Sequence, residues 1–187
     1  MKTLILDNYD SFTYNLVHIV EQFTEMFDVF RNDQIQLDQV EKYEQIIISP
    51  GPGLPSDAGI TLPLLEKFAH HKKILGVCLG HQAIAELFGA SLFNLEEVLH
   101  GISSLCKISD HTGLFKGLPK EIEVGHYHSW AVDPNRLAEN FDITAVNESG
   151  LIMAIEHKKL PITGVQFHPE SVLTPLGRDI IKNWIYS

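Results

Sequence analysis

Two short stretches of this sequence carry residue types that could do covalent chemistry together, although they lie far apart in the chain. The first is Gly76-Val77-Cys78-Leu79-Gly80, a cysteine bracketed by glycines. Lys73-Ile74-Leu75 leads into it as an apolar strand, and His81-Gln82-Ala83-Ile84-Ala85-Glu86-Leu87-Phe88 follows as a helix. A sharp strand-to-helix turn through small residues is nucleophile-elbow geometry, here with sulfur in place of a hydroxyl. A helix N-terminus behind the sulfur favours the thiolate, the form that attacks. Read alone, the same residues also fit a buried strand-end cysteine in a glycine-bracketed turn.

A cysteine nucleophile needs a base, and the base needs a group to orient it. The second stretch offers both. The apolar strand Ile162-Thr163-Gly164-Val165-Gln166-Phe167 ends in His168-Pro169-Glu170. This places an imidazole at the sheet's edge with a carboxylate two residues on, able to fix one tautomer and stabilise the protonated ring. The competing histidines fit the role less well. His70-His71 lies in a polar helix-to-strand connection, and His18 lies within a surface helix. His126 and His128 alternate along a strand and could face one side as a metal pair, but no third ligand accompanies them. Cys106, in Ser104-Leu105-Cys106-Lys107-Ile108, reads as strand packing.

The elements that must position these groups alternate in the first half. Thr3 to Leu6 reads as a strand, and Asp10 or Ser11 could cap a helix with Phe12, Leu16, Ile19, Val20 and Phe23 on one face. Asp28 to Phe30 is a second strand and Gln36 to Val40 a weak helix. Gln45 to Ile48 is an apolar strand ended by Ser49-Pro50-Gly51-Pro52-Gly53. Leu62, Leu65 and Phe68 mark a helix before the strand into Cys78. This order predicts an α/β domain whose parallel sheet has helices on both faces and sites at the C-terminal strand ends. In the second half, strands are expected near 104–109, 121–130, 142–147, 151–157 and 161–167, with a hairpin turn at Asn147-Glu148-Ser149-Gly150-Leu151. Thr174-Pro175 reads as the N-cap and N1 pair of a last helix burying Leu176, Ile180, Ile181 and Trp184.

With 187 residues, 44% hydrophobic and 20% charged, the chain is expected to form one globular domain. A net charge of -10 argues against a nucleic-acid or anionic-membrane surface. No apolar run reaches the roughly 18 residues of a membrane span, and Leu4-Ile5-Leu6, cut off by Asp7, is too short for a signal peptide. Two cysteines make no disulfide framework, so a reducing cytoplasm is the expected location.

Gly76-Val77-Cys78-Leu79-Gly80-His81-Gln82, Gly164-Val165-Gln166-Phe167-His168-Pro169-Glu170-Ser171 and Ser49-Pro50-Gly51-Pro52-Gly53 together resemble the motifs of the class I (triad) glutamine amidotransferases. The likeness runs through essentially the whole chain, in the family's order. It implies one domain over 1–187, flavodoxin-like, with a central mostly parallel sheet flanked by helices plus a smaller antiparallel sheet. It also implies a triad of Cys78, His168 and Glu170, in which Cys78 forms a γ-glutamyl thioester from L-glutamine. Backbone N–H groups of Leu79 and Gly53 would hold the oxyanion within the loop Gly51-Pro52-Gly53, and Gln82, Ser129 and Trp130 would bind glutamine.

The run Leu6-Asp7-Asn8-Tyr9-Asp10-Ser11-Phe12-Thr13-Tyr14-Asn15 is similar to that of component II of chorismate-using synthases. The resemblance implies a chorismate-binding component I large subunit that receives ammonia, with any Mg²⁺ held there and no cofactor or metal in this chain. Anthranilate synthase, in tryptophan biosynthesis, is the preferred branch. Aminodeoxychorismate (para-aminobenzoate) synthase, in folate biosynthesis, or one component shared by both is the alternative. A free-standing cysteine or γ-glutamyl hydrolase and a non-catalytic regulatory subunit are the readings from other classes. Two positions depart from the family pattern: His126 stands for the usual Arg and Ile102 for the usual Lys. His126 is accordingly expected to make partner coupling sensitive to pH near neutrality.

Overall fold

The computed structural model describes residues 1–187. In chain order its first half holds β1 (Thr3–Asp7), α1 (Thr13–Val20), β2 (Phe27–Arg31), β3 (Gln45–Ile48), α2 (Thr61–Phe68), β4 (Lys73–Val77) and α3 (Leu79–Leu87). The second half holds β5 (Leu92–Ile108), β6 (Glu121–Val132), β7 (Phe141–Asn147), β8 (Ile152–His157), β9 (Ile162–Val165) and α4 (Gly177–Tyr186). The strands lie in the order β2-β1-β3-β4-β9-β8-β7-β5-β6. From β2 to β9 neighbours run parallel, and from β9 to β6 they run antiparallel.

The inner parallel strands β1, β3 and β4 are apolar on both faces because helices cover both, whereas the edge strand β2 is only half-buried. Ile5, Ile47, Leu75, Val77 and Val165 pack with α1 and α4, including Leu16, Val20, Ile181 and Trp184. Leu4, Leu6, Ile46, Ile48 and Ile74 point the other way, onto Leu64, Leu65 and Phe68 of α2 and Ala83 and Ile84 of α3. Alternate side chains of one strand thus enter two cores, which gives the continuous hydrophobic runs seen in the sequence. The chain reverses direction across the sheet between β1 and β3, so the ends of these strands open a crevice of the kind that takes ligands.

The antiparallel strands expected as a smaller sheet are continuous with the parallel ones. One edge of β9 pairs with β4 and the other accepts β8, so a single nine-stranded sheet results. β5 begins twelve residues before the expected segment, at Leu92 rather than 104, and is bulged between Asn94 and Leu99 and between His100 and Ile102.

Three local expectations are corrected. α1 starts at Thr13 with no side-chain cap; Asp10 instead accepts the Phe12 N–H at 2.7 Å in the preceding turn. The segment from Gln36 forms only a 3₁₀ turn, Gln39–Lys42. α4 starts at Gly177 after Leu176, because the Thr174 hydroxyl is engaged elsewhere: it donates to the His168 carbonyl at 2.7 Å and accepts the Gly125 N–H at 2.9 Å. No helix is long and apolar enough to cross a membrane.

Candidate active site

Cys78 sits between β4 and α3 with φ +50°, one of two non-glycine residues with positive φ. Such a backbone costs about 1–3 kcal/mol and persists only where its surroundings enforce it. Here the Cys78 N–H donates to the Val165 carbonyl at 2.8 Å, and the Cys78 carbonyl accepts the Gln82 N–H at 3.0 Å as the first turn of α3. The bracketing glycines serve close packing. A Cβ on Gly76 would lie 2.4 Å from the Gly80 backbone, and one on Gly80 would lie 2.6 Å from the Ile48 carbonyl. His81, fully buried below the turn, is kept neutral by desolvation, which pushes its pKa down to about 3.

His168 and Glu170 lie in the turn after β9, both buried. His168 Nδ1 is 2.6 Å from Glu170 Oε1, so Nε2, buried without another hydrogen-bond partner, is the nitrogen left free to exchange a proton. Burial opposes charge on this ring, but attraction to the Cys78 sulfur, followed by its bond to Glu170, outweighs it. The pKa is raised well above 6.5. Phe12 and Tyr127 meet the ring at tilted or edge angles, 6.2 and 5.0 Å between centroids. The Thr174 hydroxyl and the His168 N–H, which donates to the Gly125 carbonyl at 3.1 Å, tie the turn to β6.

The loop after β3 is held by Asn8, at the end of β1. Asn8 donates its side-chain N–H to the Ser49 carbonyl at 3.0 Å and its backbone N–H to the Ser49 hydroxyl at 2.9 Å. Its Oδ1 accepts from Asn32 Nδ2 at 3.0 Å and from the Thr61 hydroxyl at 2.9 Å. Gly51 lies so close that a Cβ would stand 2.6 Å from the Asn8 Cβ, and Gly53 has φ +74°. Asp7 in turn accepts from the Tyr9 N–H and the Thr13 hydroxyl, both at 2.9 Å. The Asp7-to-Asn15 run therefore divides: Asp7, Asn8 and Thr13 are buried structure, while Tyr9, Tyr14 and Asn15 are exposed.

Between this loop, the elbow and β6 lies a cavity of about 210 Å³. That is below the roughly 300–1,000 Å³ of drug-sized sites and suits a small metabolite. Gly51, Pro52, Gly53, Cys78, Gln82, Ser129 and Trp130 line it, as expected. Leu79 is buried and lies outside the lining, as do His168 and Glu170. Val98, His100, Tyr127 and His128 complete the wall. Tyr127 carries only a strand signal in the sequence. Val98 and His100 reach the cavity from the bulged part of β5, where the sequence keeps no clear period.

Polar groups around the cavity form one directed network. Gln82 Nε2 donates to the Trp130 carbonyl at 2.9 Å and to Gln166 Oε1 at 3.1 Å. Gln166 Nε2 donates to Cys78 Sγ at 3.6 Å. His128 Nδ1 also donates to the Trp130 carbonyl, at 2.9 Å, and its Nε2 lies 3.3 Å from His126 Nδ1. His126 Nε2 lies 2.7 Å from the Ser104 hydroxyl. Because a carbonyl can only accept, both His128 and His126 must carry the proton on Nδ1. Their nitrogens are thus spent on each other, Ser104 and Trp130, and no group of three or more His, Cys, Asp or Glu side chains could hold a metal.

Desolvation, reinforced by neighbouring histidines, pushes both His126 and His128 down to about 4. In the chain by itself, burial thus holds the His126 ring neutral near pH 7. His126 and Ile102, the two departures from the family pattern, are direct cross-strand partners. Besides the wall residues Val98, His100, Tyr127 and His128, sequence reasoning missed Gln166 and Asn8. The available signal was a lone amide in an otherwise apolar strand end, and a lone amide between two aspartates.

Residues 4–187 match the family described as glutamine amidotransferase class-I. The chain is 45% identical over 184 residues to the aminodeoxychorismate/anthranilate synthase component 2 of Bacillus subtilis, covering 97% of this chain and 94% of that protein. It is 42% identical over 186 residues to the aminodeoxychorismate synthase component 2 of Klebsiella aerogenes, covering 97% and 98%. Among solved structures, a Thermoplasma acidophilum protein described as a candidate GMP synthase subunit superposes with a TM-score of 0.89 at 26% identity, covering 100% of this chain and 92% of that one.

Proposed function

The chain belongs to the class-I glutamine amidotransferase family, and we propose that it is the glutaminase component of a chorismate-using synthase, most specifically anthranilate synthase component II. The observation that carries the catalytic half is the positive-φ cysteine that lines the small cavity and answers to a buried His168–Glu170 pair 2.6 Å apart. The names of the B. subtilis and K. aerogenes relatives support a chorismate-using destination, and with it a component I large subunit. Any Mg²⁺ requirement belongs, on this reading, to that larger partner.

In this mechanism the Cys78 sulfur attacks the side-chain amide carbon of L-glutamine while its proton resides on His168 Nε2. Charge developing on the amide oxygen is met by the backbone N–H groups of Leu79, at the start of α3, and Gly53. One such donor is typically worth about 3 kcal/mol in the transition state. Collapse breaks the C–N bond, and His168 gives its proton to the departing nitrogen, which leaves as ammonia. Water then attacks the γ-glutamyl thioester, losing a proton to His168, and the sulfur departs to release glutamate. Glu170 keeps Nε2 facing the sulfur throughout. Gln82 has spent both N–H donors, so its Oε1 is the atom it can offer to glutamine's donors.

A second reading, aminodeoxychorismate synthase component II or one component shared by both enzymes, is favoured by the K. aerogenes relative and by the double name of the B. subtilis one. Reconstitution with each component I from the same cell tests the choice, by identifying the product made from chorismate and glutamine. In the productive complex, Cys78→Ala should abolish glutamine-dependent synthesis and leave ammonia-dependent synthesis intact. Glutamine-dependent synthesis that survives this substitution would overturn the catalytic reading and favour a regulatory role.

A further inference from the structure

We infer that Gln166 is a further catalytic residue: its side-chain N–H donates to the Cys78 sulfur and steadies the anion, in an orientation that Gln82 enforces. The inference rests on Cys78 being the nucleophile. Gln166 is fully buried at the end of β9, two residues before His168, with Nε2 3.6 Å from Cys78 Sγ.

An amide can present either oxygen or nitrogen to a neighbour, and the surrounding network decides which. Gln166 Oε1 accepts from Gln82 Nε2. Gln82 cannot reverse, because its nitrogen also donates to the Trp130 carbonyl, which has no proton to give back. That carbonyl is itself fixed, as it also accepts from His128. Turning Gln166 over would therefore set oxygen against sulfur and nitrogen against nitrogen. The nitrogen faces the sulfur because every alternative breaks two hydrogen bonds in a buried place.

The donor complements His168 rather than duplicating it. His168 gives its proton to the departing nitrogen in the first half of the reaction and takes one from water in the second, so its charge beside the sulfur varies. Gln166 does not titrate and remains a fixed, water-excluded donor throughout. It favours the sulfur anion before attack, and again when the thioester collapses and sulfur is the leaving group. No covalent bond is made to Gln166.

The test is the pH dependence of Cys78 alkylation by iodoacetamide in the full chain, with the modified cysteine identified by peptide mass. Only two cysteines are present, and burial pushes the Cys106 thiol up to about 12, so the reactive signal belongs to Cys78. Gln166→Met keeps the length and removes the donor. Its alkylation midpoint should rise by roughly one to two pH units, the size expected for losing a hydrogen bond to a charged group. Gln166→Glu, nearly the same shape, sets an acceptor against the sulfur and should raise the midpoint at least as far. It serves as the deciding variant if the methionine protein does not fold.

A folded variant whose midpoint stays within about 0.3 units of the parent would overturn the role of Gln166. That result is distinct from failure of the glutaminase reading, which would appear as glutamine turnover surviving Cys78→Ala.

Discussion

The two halves of the sheet do different work, and they are built differently. In the parallel half, β1, β3 and β4 are buried on both faces and end in short turns carrying Asn8, the Gly51–Gly53 loop and Cys78. In the antiparallel half, β5 is largely exposed and bulged, with Val98 and Ile102 open to solvent at 64% and 47%. Reacting groups sit on the rigid strand ends. The antiparallel strands supply only part of the cavity wall, Val98 and His100 from the looser β5 and Tyr127 to Trp130 from β6, and the Gly51–Gly53 loop, Cys78 and Gln82 supply the rest. Bond making needs sub-ångström placement, which a doubly buried strand provides. Closing the rest of a cavity tolerates a surface with less packing behind it, as on β5.

If this division is right, substitutions in the parallel half should act on kcat and those in the antiparallel half on KM. The largest effect is expected for Glu170→Gln. It keeps the size of the side chain but removes the negative partner of His168, and kcat for glutamine should fall by about 10³–10⁴-fold, measured as ammonia release. Asn8→Ala should follow, with kcat lower by roughly 10²-fold as the Gly51–Gly53 loop loses its anchor, and iodoacetamide reactivity of Cys78 unchanged. Loss of Cys78 reactivity in that variant would mean that the two loops are not independent.

His128→Phe, which removes one of the two donors on the Trp130 carbonyl while Gln82 keeps the other, should raise KM about tenfold with a smaller fall in kcat, and a kcat defect of equal size would place this wall among the groups that position the sulfur. His126 and His128 also make the antiparallel half acid-sensitive. Their folded pKa values near 4 lie below the ordinary 6.5, so the unfolded chain takes up protons first as pH falls. Stability should be full above pH 6.5 and decline toward pH 4, by on the order of 3 kcal/mol per ring at most. Urea titrations across that range should show a shallower decline in His126→Gln. The smallest effect on chemistry is expected at Tyr14, 60% exposed: Tyr14→Ser should leave glutamine hydrolysis by the free chain within about twofold.

The same contrast explains what the sequence made legible. β1, β3 and β4 were readable because burial on both faces leaves unbroken apolar runs stopped by Pro, Gly or Asp. Cys78, His168 and Glu170 were readable because each follows such a run. Residues 92–103 were not, since a half-exposed, bulged strand keeps no period of two. Thr174-Pro175 has every local mark of a helix start, yet the Thr174 hydroxyl is committed to Gly125 and His168, a contact between distant segments that no local pattern carries. Asn8 failed for the same reason: its partners Asn32, Ser49 and Thr61 come from three other places in the chain. His126 is legible only as a departure from the family's usual Arg; its burial against His128, which holds the ring neutral near pH 7, is not something the local pattern carries.

The proposed glutaminase chemistry requires Cys78 to carry the γ-glutamyl group while ammonia departs. Its most direct test is acid-quenched turnover of isotopically labelled glutamine by the chain assembled with its component I, followed by peptide mass analysis. The expected result is a γ-glutamyl thioester on the peptide containing Cys78, formed with a burst of ammonia and absent from Cys78→Ala. Steady ammonia release with the label on another residue, or undiminished in Cys78→Ala, would contradict it.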